Sequence, residues 1–136
     1  MNAIEKYCSE HGLDINKVLS VTVGQGGSVL PQKLGFTGYM AEITDTSIIF
    51  TNDKLGVKKE VPFSTFRAAE FGIGNGVLWL QCMVNDSPFV FGNMRKAWKS
   101  PASKLLLEKI SAEIQIEDMK AYDQYTGKLF FLYMFK

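Results

Sequence analysis

Apolar and polar residues alternate in short runs over the first two-thirds of the chain. The runs are rich in β-branched and aromatic residues, and turn-forming residues separate them, which is the pattern of β-strands joined by turns. Short strands at even spacing favour an antiparallel sandwich or a small barrel. The seven predicted strands are residues 18–23, 36–43, 47–51, 57–61, 65–71, 77–84 and 88–91.

The fourth run, residues 57–61, has the composition of a strand at the edge of a sheet. Lys58, Lys59 and Glu60 lie between two valines, and Pro62 follows them. Charged side chains and proline are tolerated where one side of a strand faces water. We therefore expect this strand to form an edge.

Helical spacing of apolar residues precedes the strands. Ile4, Tyr7 and Cys8 are three and four residues apart, and they would form one apolar stripe on a helix. Gly12 can adopt the left-handed conformation that ends many helices. The pattern predicts a short N-terminal helix over residues 2–11.

A second helix is predicted after the strands. Ser100 suits the N-cap position, and Pro101 suits the first helical position, where a backbone N–H is not needed. Beyond them Leu106, Ile110 and Ile114 share one face. This C-terminal helix is expected to extend to about residue 119.

The last apolar run, residues 129–135, has seven consecutive apolar or aromatic residues. It is too short to span a bilayer as a helix, and it predicts a terminal strand at about residues 128–135. Such a strand has to be buried, either in the sheet of its own chain or against a second copy. For the second alternative, the predicted interface residues are Leu129, Phe131, Tyr133 and Phe135.

Composition and charge fit a single globular domain of 136 residues. Apolar residues make up 46% and charged residues 21%, which excludes a disordered or a collagen-like chain. The 15 Lys and Arg nearly balance the 14 Asp and Glu, and a net charge of +1 gives no overall attraction to nucleic acid. The polar start lacks the apolar region of a signal peptide, so a cytoplasmic location with two free thiols is expected.

The sequence contains no residue set that identifies a reaction. Residues 71–76 include three glycines, but a strand is predicted after them, so they indicate a hairpin turn and not a phosphate-binding loop. His11 is the single histidine, and a pairing with Cys8 would need a lowered thiol pKa and a third group to orient it. No enzymatic activity, cofactor or metal is therefore expected.

Two basic clusters are the candidate binding residues. Lys54, Lys58 and Lys59 surround one predicted hairpin. The second cluster lies between the last strand and the C-terminal helix. Together they could hold phosphate groups or the anionic surface of a membrane, and an exposed tryptophan could lie at that interface. The alternative is a solvated basic loop with the tryptophan packed against the barrel. The second cluster consists of Arg95, Lys96, Trp98 and Lys99.

Several segments resemble bacterial pleckstrin-homology-like (PH-like, GRAM-related) domains. Residues 38–50 (G-Y-M-A-E-I-T-D-T-S-I-I-F) are similar to their opening strand pair, and residues 60–66 (E-V-P-F-S-T-F) to the segment that follows. Residues 76–80 and 88–91 resemble their final hairpin, and residues 100–114 their closing helix. The resemblance covers roughly 80 residues and rests on short, mostly structural motifs.

This resemblance implies a mainly β fold of the α+β class, a bent antiparallel barrel of about seven strands capped by a C-terminal helix. The PH-like core would span about residues 18–116, with the N-terminal helix and the terminal strand as additions. Family members are usually non-enzymatic and bind phosphoinositides, proteins or peptides. The lipid-binding members carry a basic motif in the loop between their first two strands. Here residues 24–35 contain only Lys33, so no binding residue is carried over.

Two functions are the leading hypotheses, and a small enzyme ranks third. The first is an interaction module that docks a protein, a peptide or an anionic lipid head group. The second is a structural subunit that forms homo-oligomers through the terminal apolar strand.

Overall fold

A computed structural model of the chain describes residues 2–27, 29–30 and 37–127. Strands make up 45% of these residues and helices 32%, so the fold is mainly β within the α+β class. The strands are β1 (Val18–Gln25), β2 (Thr37–Ile43), β3 (Ser47–Asn52), β4 (Val57–Pro62), β5 (Phe66–Gly74), β6 (Val77–Val84), β7 (Ser87–Asn93) and β8 (Ile116–Glu117). The helices are α1 (Ala3–His11), α2 (Arg95–Trp98), α3 (Pro101–Ser111) and α4 (Met119–Thr126), and two 3₁₀ turns cover Ile15–Lys17 and Phe63–Thr65.

Strands β1 to β7 confirm the seven predicted strands, with small shifts at their ends. Residue 36, the predicted start of the second strand, and the predicted terminal strand at residues 128–135 lie outside the described residues. Strand β8 was not predicted. No helix in the described part of the chain is both long and apolar enough to cross a membrane.

The eight strands form one mixed sheet in the order β4-β3-β2-β1-β7-β6-β5-β8. Strand β1 joins its two halves, because it pairs in antiparallel fashion with β2 on one side and with β7 on the other. The pairing of β5 with β8 is parallel. Among the described strands the sheet is not closed, so β4 forms one edge and β8 the other.

The aromatic core shows that the sheet is bent. Phe50 on β3 has its ring centroid 5.2 Å from that of Phe89 and 5.9 Å from that of Phe91, both on β7. These strands are three positions apart in the sheet, which would separate them by about 14 Å if the sheet were flat. The rings meet because β1 and β2 curve around them, and all three are fully buried.

Helix α1 confirms the predicted N-terminal helix. The Asn2 side chain accepts a hydrogen bond from the Glu5 N–H at 2.8 Å and forms the N-cap. At the other end Gly12 has a φ of 66° and donates its N–H to the Cys8 carbonyl. The apolar stripe packs on β1 and buries Cys8.

Helix α3 begins as predicted but ends earlier. The Ser100 hydroxyl accepts a hydrogen bond from the Ser103 N–H, and Pro101 follows in the first turn. The predicted extension to residue 119 was wrong, because the helix ends at Ser111 and the chain becomes extended in β8. There Ile116 is buried opposite Ala69 of β5, an arrangement that a continued helix could not reach.

Helix α4 was not predicted, since its sequence is mostly polar. Two tyrosines attach it to the sheet. The Tyr122 ring stacks on Phe71 with centroids 5.3 Å apart, and its hydroxyl donates to the Trp98 carbonyl at 2.9 Å. The Tyr125 hydroxyl donates to the Gly76 carbonyl at 2.6 Å. The last described residues of the chain are thereby fixed beside α2 and the β5–β6 hairpin.

Candidate functional site

The two adjacent lysines of β4 point to opposite faces of the sheet. Lys59 pairs with the buried Phe50 of β3, whereas Lys58 pairs with the half-buried Thr51. Residues directly opposite each other on antiparallel strands share a face. Lys59 therefore lies on the core-facing side and Lys58 on the side that faces α1.

A groove of about 680 Å³ lies along β4, and we call it the edge groove. One wall is the second half of β4, and the other is the turn between β6 and β7, with Val29 contributing from the chain beyond β1. The hydrogen bond from the Asn85 N–H to the Thr65 carbonyl, 2.8 Å long, fixes the turn to the start of β5. Lining residues of the edge groove are Val29, Lys59, Glu60, Val61, Pro62, Thr65, Val84, Asn85, Asp86, Ser87 and Pro88.

The edge groove combines backbone polar groups with apolar and charged side chains. Because β4 is the last strand of the sheet, alternate residues direct their N–H and C=O groups away from β3. Val29, Pro62 and Pro88 supply accessible apolar surface, and Lys59 supplies an exposed cation. An extended peptide could use all three features at once.

Lys54 and Lys58 lie on the other side of the sheet, beside α1. Lys54 is in the β3–β4 loop, which is held by the Leu55 N–H donating to the Asn52 side chain at 3.0 Å. Adjoining clefts between α1 and β3 bring both lysines near Tyr7. The first basic cluster is therefore divided between two faces, with Lys59 alone in the edge groove.

The second basic cluster does not form an exposed patch around its tryptophan. Trp98 is fully buried, and its indole Nε1 donates to the Leu78 carbonyl at 2.9 Å. The prediction that Trp98 is a surface binding residue was wrong, because its ring fills the core between β6 and α4. The alternative stated for it, packing against the sheet, is what the structure shows.

The cations of the second cluster differ in their surroundings. Arg95 donates from Nη2 to the Gly127 carbonyl at 3.1 Å and to the Thr126 carbonyl at 3.5 Å. Lys96 and Lys99 are exposed. Lys96 lines a separate cleft and is not among the lining residues of the edge groove.

That separate cleft, which we call the apolar cleft, has a volume of about 520 Å³ and lies between α1 and α2. Sequence analysis missed it, because its walls come from segments that are far apart in the chain. The local sequence hints at this cleft only through Ile15 and Met94, two large apolar residues that belong to none of the predicted apolar stripes. Its lining residues are Asn2, Ala3, Ile4, Ile15, Asn16, Val18, Leu19, Ser20, Asn93, Met94, Lys96, Ala97, Ser100 and Pro101.

The two cysteines lie in environments that disfavour the thiolate. Burial raises the pKa of the Cys8 thiol, and the nearby carboxylates of Asp14 and Glu42 raise it further. Burial alone raises the pKa of Cys82. In the described ranges, no three His, Cys, Asp or Glu side chains are grouped so that they could hold a metal ion.

The glycines of residues 71–76 form a hairpin turn, as predicted. Asn75 and Gly76 have φ values of 54° and 75° between β5 and β6. Two successive positive φ angles are typical of a two-residue type I′ hairpin. The backbone there joins two strands and does not lead into a helix.

Comparisons with known proteins give no family for this chain. No protein-family model matches it, and a search of the curated proteins finds no matching sequence. The function therefore has to be argued from the residues and their geometry.

Proposed function

We propose that this chain is a non-enzymatic interaction module with the architecture of a PH-like domain. Three features support the proposal: seven strands from β4 to β5 that are each antiparallel to the next, a central β1 that joins both halves of the sheet, and α3 following β7 to pack on β1 and β2. The bend of the sheet around Phe50 is what a bent barrel requires. Helices α1 and α4 and strand β8 are additions to that pattern.

The ligand that the geometry favours is an extended peptide segment bound along β4. An edge strand offers main-chain hydrogen bonds to an incoming strand, and neighbouring pockets then select side chains. The edge groove provides both, since β4 forms one of its walls and Val29, Pro62 and Pro88 offer accessible apolar contacts. The single observation that carries the proposal is this coincidence of an edge strand with a groove.

Lys59 is the one cation among the described lining residues of the edge groove, which also include the acidic residues Glu60 and Asp86. An acidic side chain of the peptide placed beside Lys59, away from those two carboxylates, gains a favourable interaction that Lys58, on the other face, cannot supply. An anionic membrane is a weaker candidate. Lys58 and Lys59 leave β4 on opposite faces and do not form one cationic surface, and the Arg95 guanidinium already donates to the backbone beyond α4.

Peptides selected from a random phage-displayed library against the full chain test this proposal. Binding of a selected peptide should perturb the backbone amides of β4 in NMR spectra. Lys59→Glu should weaken binding by about tenfold, a loss of about 1.4 kcal/mol. Lys58→Glu is the matched control, because it makes the same charge change one residue away on the opposite face, and it should leave the affinity unchanged.

Two results would contradict the proposal. One is a selected peptide whose binding responds equally to both substitutions or perturbs amides away from β4. The other is binding of the full chain to phosphatidylserine vesicles that is lost when Lys58 and Lys59 are both neutralised, which would favour a lipid head group.

A further inference from the structure

The apolar cleft gathers the most exposed apolar side chains of the described chain. Four large apolar residues are more than a third exposed, and two of them, Ile15 at 46% and Met94 at 58%, line this cleft. The other two, Leu55 and Met83, lie elsewhere. Exposed apolar surface that is concentrated in one concave site, and not scattered, indicates that something covers it.

The described chain ends beside α2, which forms one wall of this cleft. The carbonyl of Gly127 accepts a hydrogen bond from Arg95 at 3.1 Å. Arg95 lies between Met94 and Lys96 in the sequence, and both of these neighbours line the cleft. The backbone of the last described residue is therefore held against the helix that also borders the cleft.

The residues that follow Gly127 are mostly apolar and aromatic, which suits an apolar cleft. Residues 129–135 read L-F-F-L-Y-M-F, between Lys128 and Lys136. Nine extended residues reach about 30 Å, which is more than enough to pass from Gly127 across the neighbouring helix. A volume of about 520 Å³ lies in the range of sites that enclose several large groups, about 300–1,000 Å³.

We infer that the apolar cleft is the docking site for residues 128–136 of the same chain. Docking would place aromatic side chains of this segment against Met94 and Ile15. The covalent connection through Gly127 favours the same chain over a second copy, because a short tether gives an effective concentration of about millimolar. The proposal is independent of peptide binding at the edge groove, which lies along β4 on another part of the sheet.

A photo-crosslink in the full-length chain tests the inference directly. A photoreactive benzoylphenylalanine in place of Met94 should join to the tryptic peptide of residues 129–136, and the product should have the mass of one chain. The same group in place of Met83, an exposed methionine on β6, is the matched control and should give no such product.

A second measurement uses ordinary substitutions in the full-length chain. Met94→Asp places a charge in the cleft, which should release the segment and raise the rate of chymotrypsin cleavage within residues 129–135 by about tenfold. Met83→Asp makes the same change outside the cleft and should leave that rate unchanged.

Three outcomes would overturn the inference. The first is the absence of a crosslink between position 94 and residues 129–136. The second is a crosslink found only in a product with the mass of two chains, which would make the segment an oligomer contact. The third is an equal cleavage rate for Met94→Asp and Met83→Asp.

Discussion

Gly38 and Gly92 lie on opposite sides of Thr22, one on β2 and the other on β7. The two glycines have this neighbour in common, but the room for a side chain differs between them. A Cβ atom on Gly92 would lie 2.6 Å from Trp79 Cε3 and 2.8 Å from the Leu78 carbonyl oxygen, whereas one on Gly38 would meet nothing closer than 4.0 Å. The Trp79 indole therefore lies across Gly92, and its position depends on the missing side chain.

Gly92→Ala should destabilise the fold by about 1–3 kcal/mol, because the added carbon overlaps backbone as well as an aromatic ring. The free energy of unfolding measured in urea gives this value. Gly38→Ala is the matched control in the same row of the sheet, and it should be neutral or slightly stabilising, by up to about 1 kcal/mol. A Gly92→Ala variant as stable as Gly38→Ala would show that both Trp79 and the Leu78 backbone accommodate the added carbon without cost.

The buried indole of Trp98 connects α2 to β6. Trp98→Ala should cost about 3–5 kcal/mol, since it leaves a cavity next to Phe71 and Tyr122 and removes the donor to the Leu78 carbonyl. Trp98→Phe keeps much of the packing and should cost less. Both values come from urea denaturation followed by far-ultraviolet circular dichroism, which does not depend on the fluorescence of the tryptophan that is removed.

The exposed neighbour Lys99 provides the control for Trp98. Lys99→Ala should change stability by no more than about 0.5 kcal/mol, as surface substitutions usually do. If Trp98→Ala were as mild as Lys99→Ala, Trp98 would have to lie at the surface, as the first of the two sequence-based interpretations had it.

The strands and the two capped helices could be predicted because their signals are local. Alternation of apolar residues marks β1 to β7, and Asn75-Gly76 marks a hairpin turn through the conformations those two residues adopt. The cap at Ser100 acts on a residue three positions away, and Gly12 ends α1 in the left-handed conformation. Each of these signals can be read from a few neighbouring residues.

The missing elements depend on contacts between distant parts of the chain. Tyr122 and Tyr125 attach helix α4 to the β5–β6 hairpin, about fifty residues earlier in the chain, and the polar sequence of the helix gives no sign of these contacts. Clustering in sequence was also misleading for the candidate site. Lys58 and Lys59 are adjacent in the chain, and for that reason the alternation of a strand places them on opposite faces.

The N-cap of α3 can be tested with two serines of the same segment. Ser100→Ala should destabilise the fold by about 1 kcal/mol, because the Ser103 N–H at the start of the helix loses its acceptor. Ser111→Ala, at the exposed last position of the helix, should have little effect. Thermal or urea unfolding of the two variants measures the difference, and equal effects would argue against a capping role for Ser100.

Stability should fall at alkaline pH because of buried acidic groups that are neutral in the folded state. Burial raises the pKa of the Cys82 thiol and of the Tyr39 phenol above their ordinary values of 9.0 and 10.0. The unfolded chain therefore releases these protons at a lower pH than the folded chain does. Between the two pKa values the folded state binds more protons, so the free energy of unfolding decreases as the pH rises.

The contribution of these groups to the free energy of unfolding is present in full below pH 9, where they are protonated in both the folded and the unfolded chain. It is lost progressively above that pH. Each group can lower stability by at most about 1.4 kcal/mol per pH unit. Cys82→Ala and Tyr39→Phe each remove one titrating group and should flatten the decline. Urea denaturation from about pH 7 to 11 measures the slopes, and profiles parallel to that of the unsubstituted chain would show that neither group titrates differently on folding.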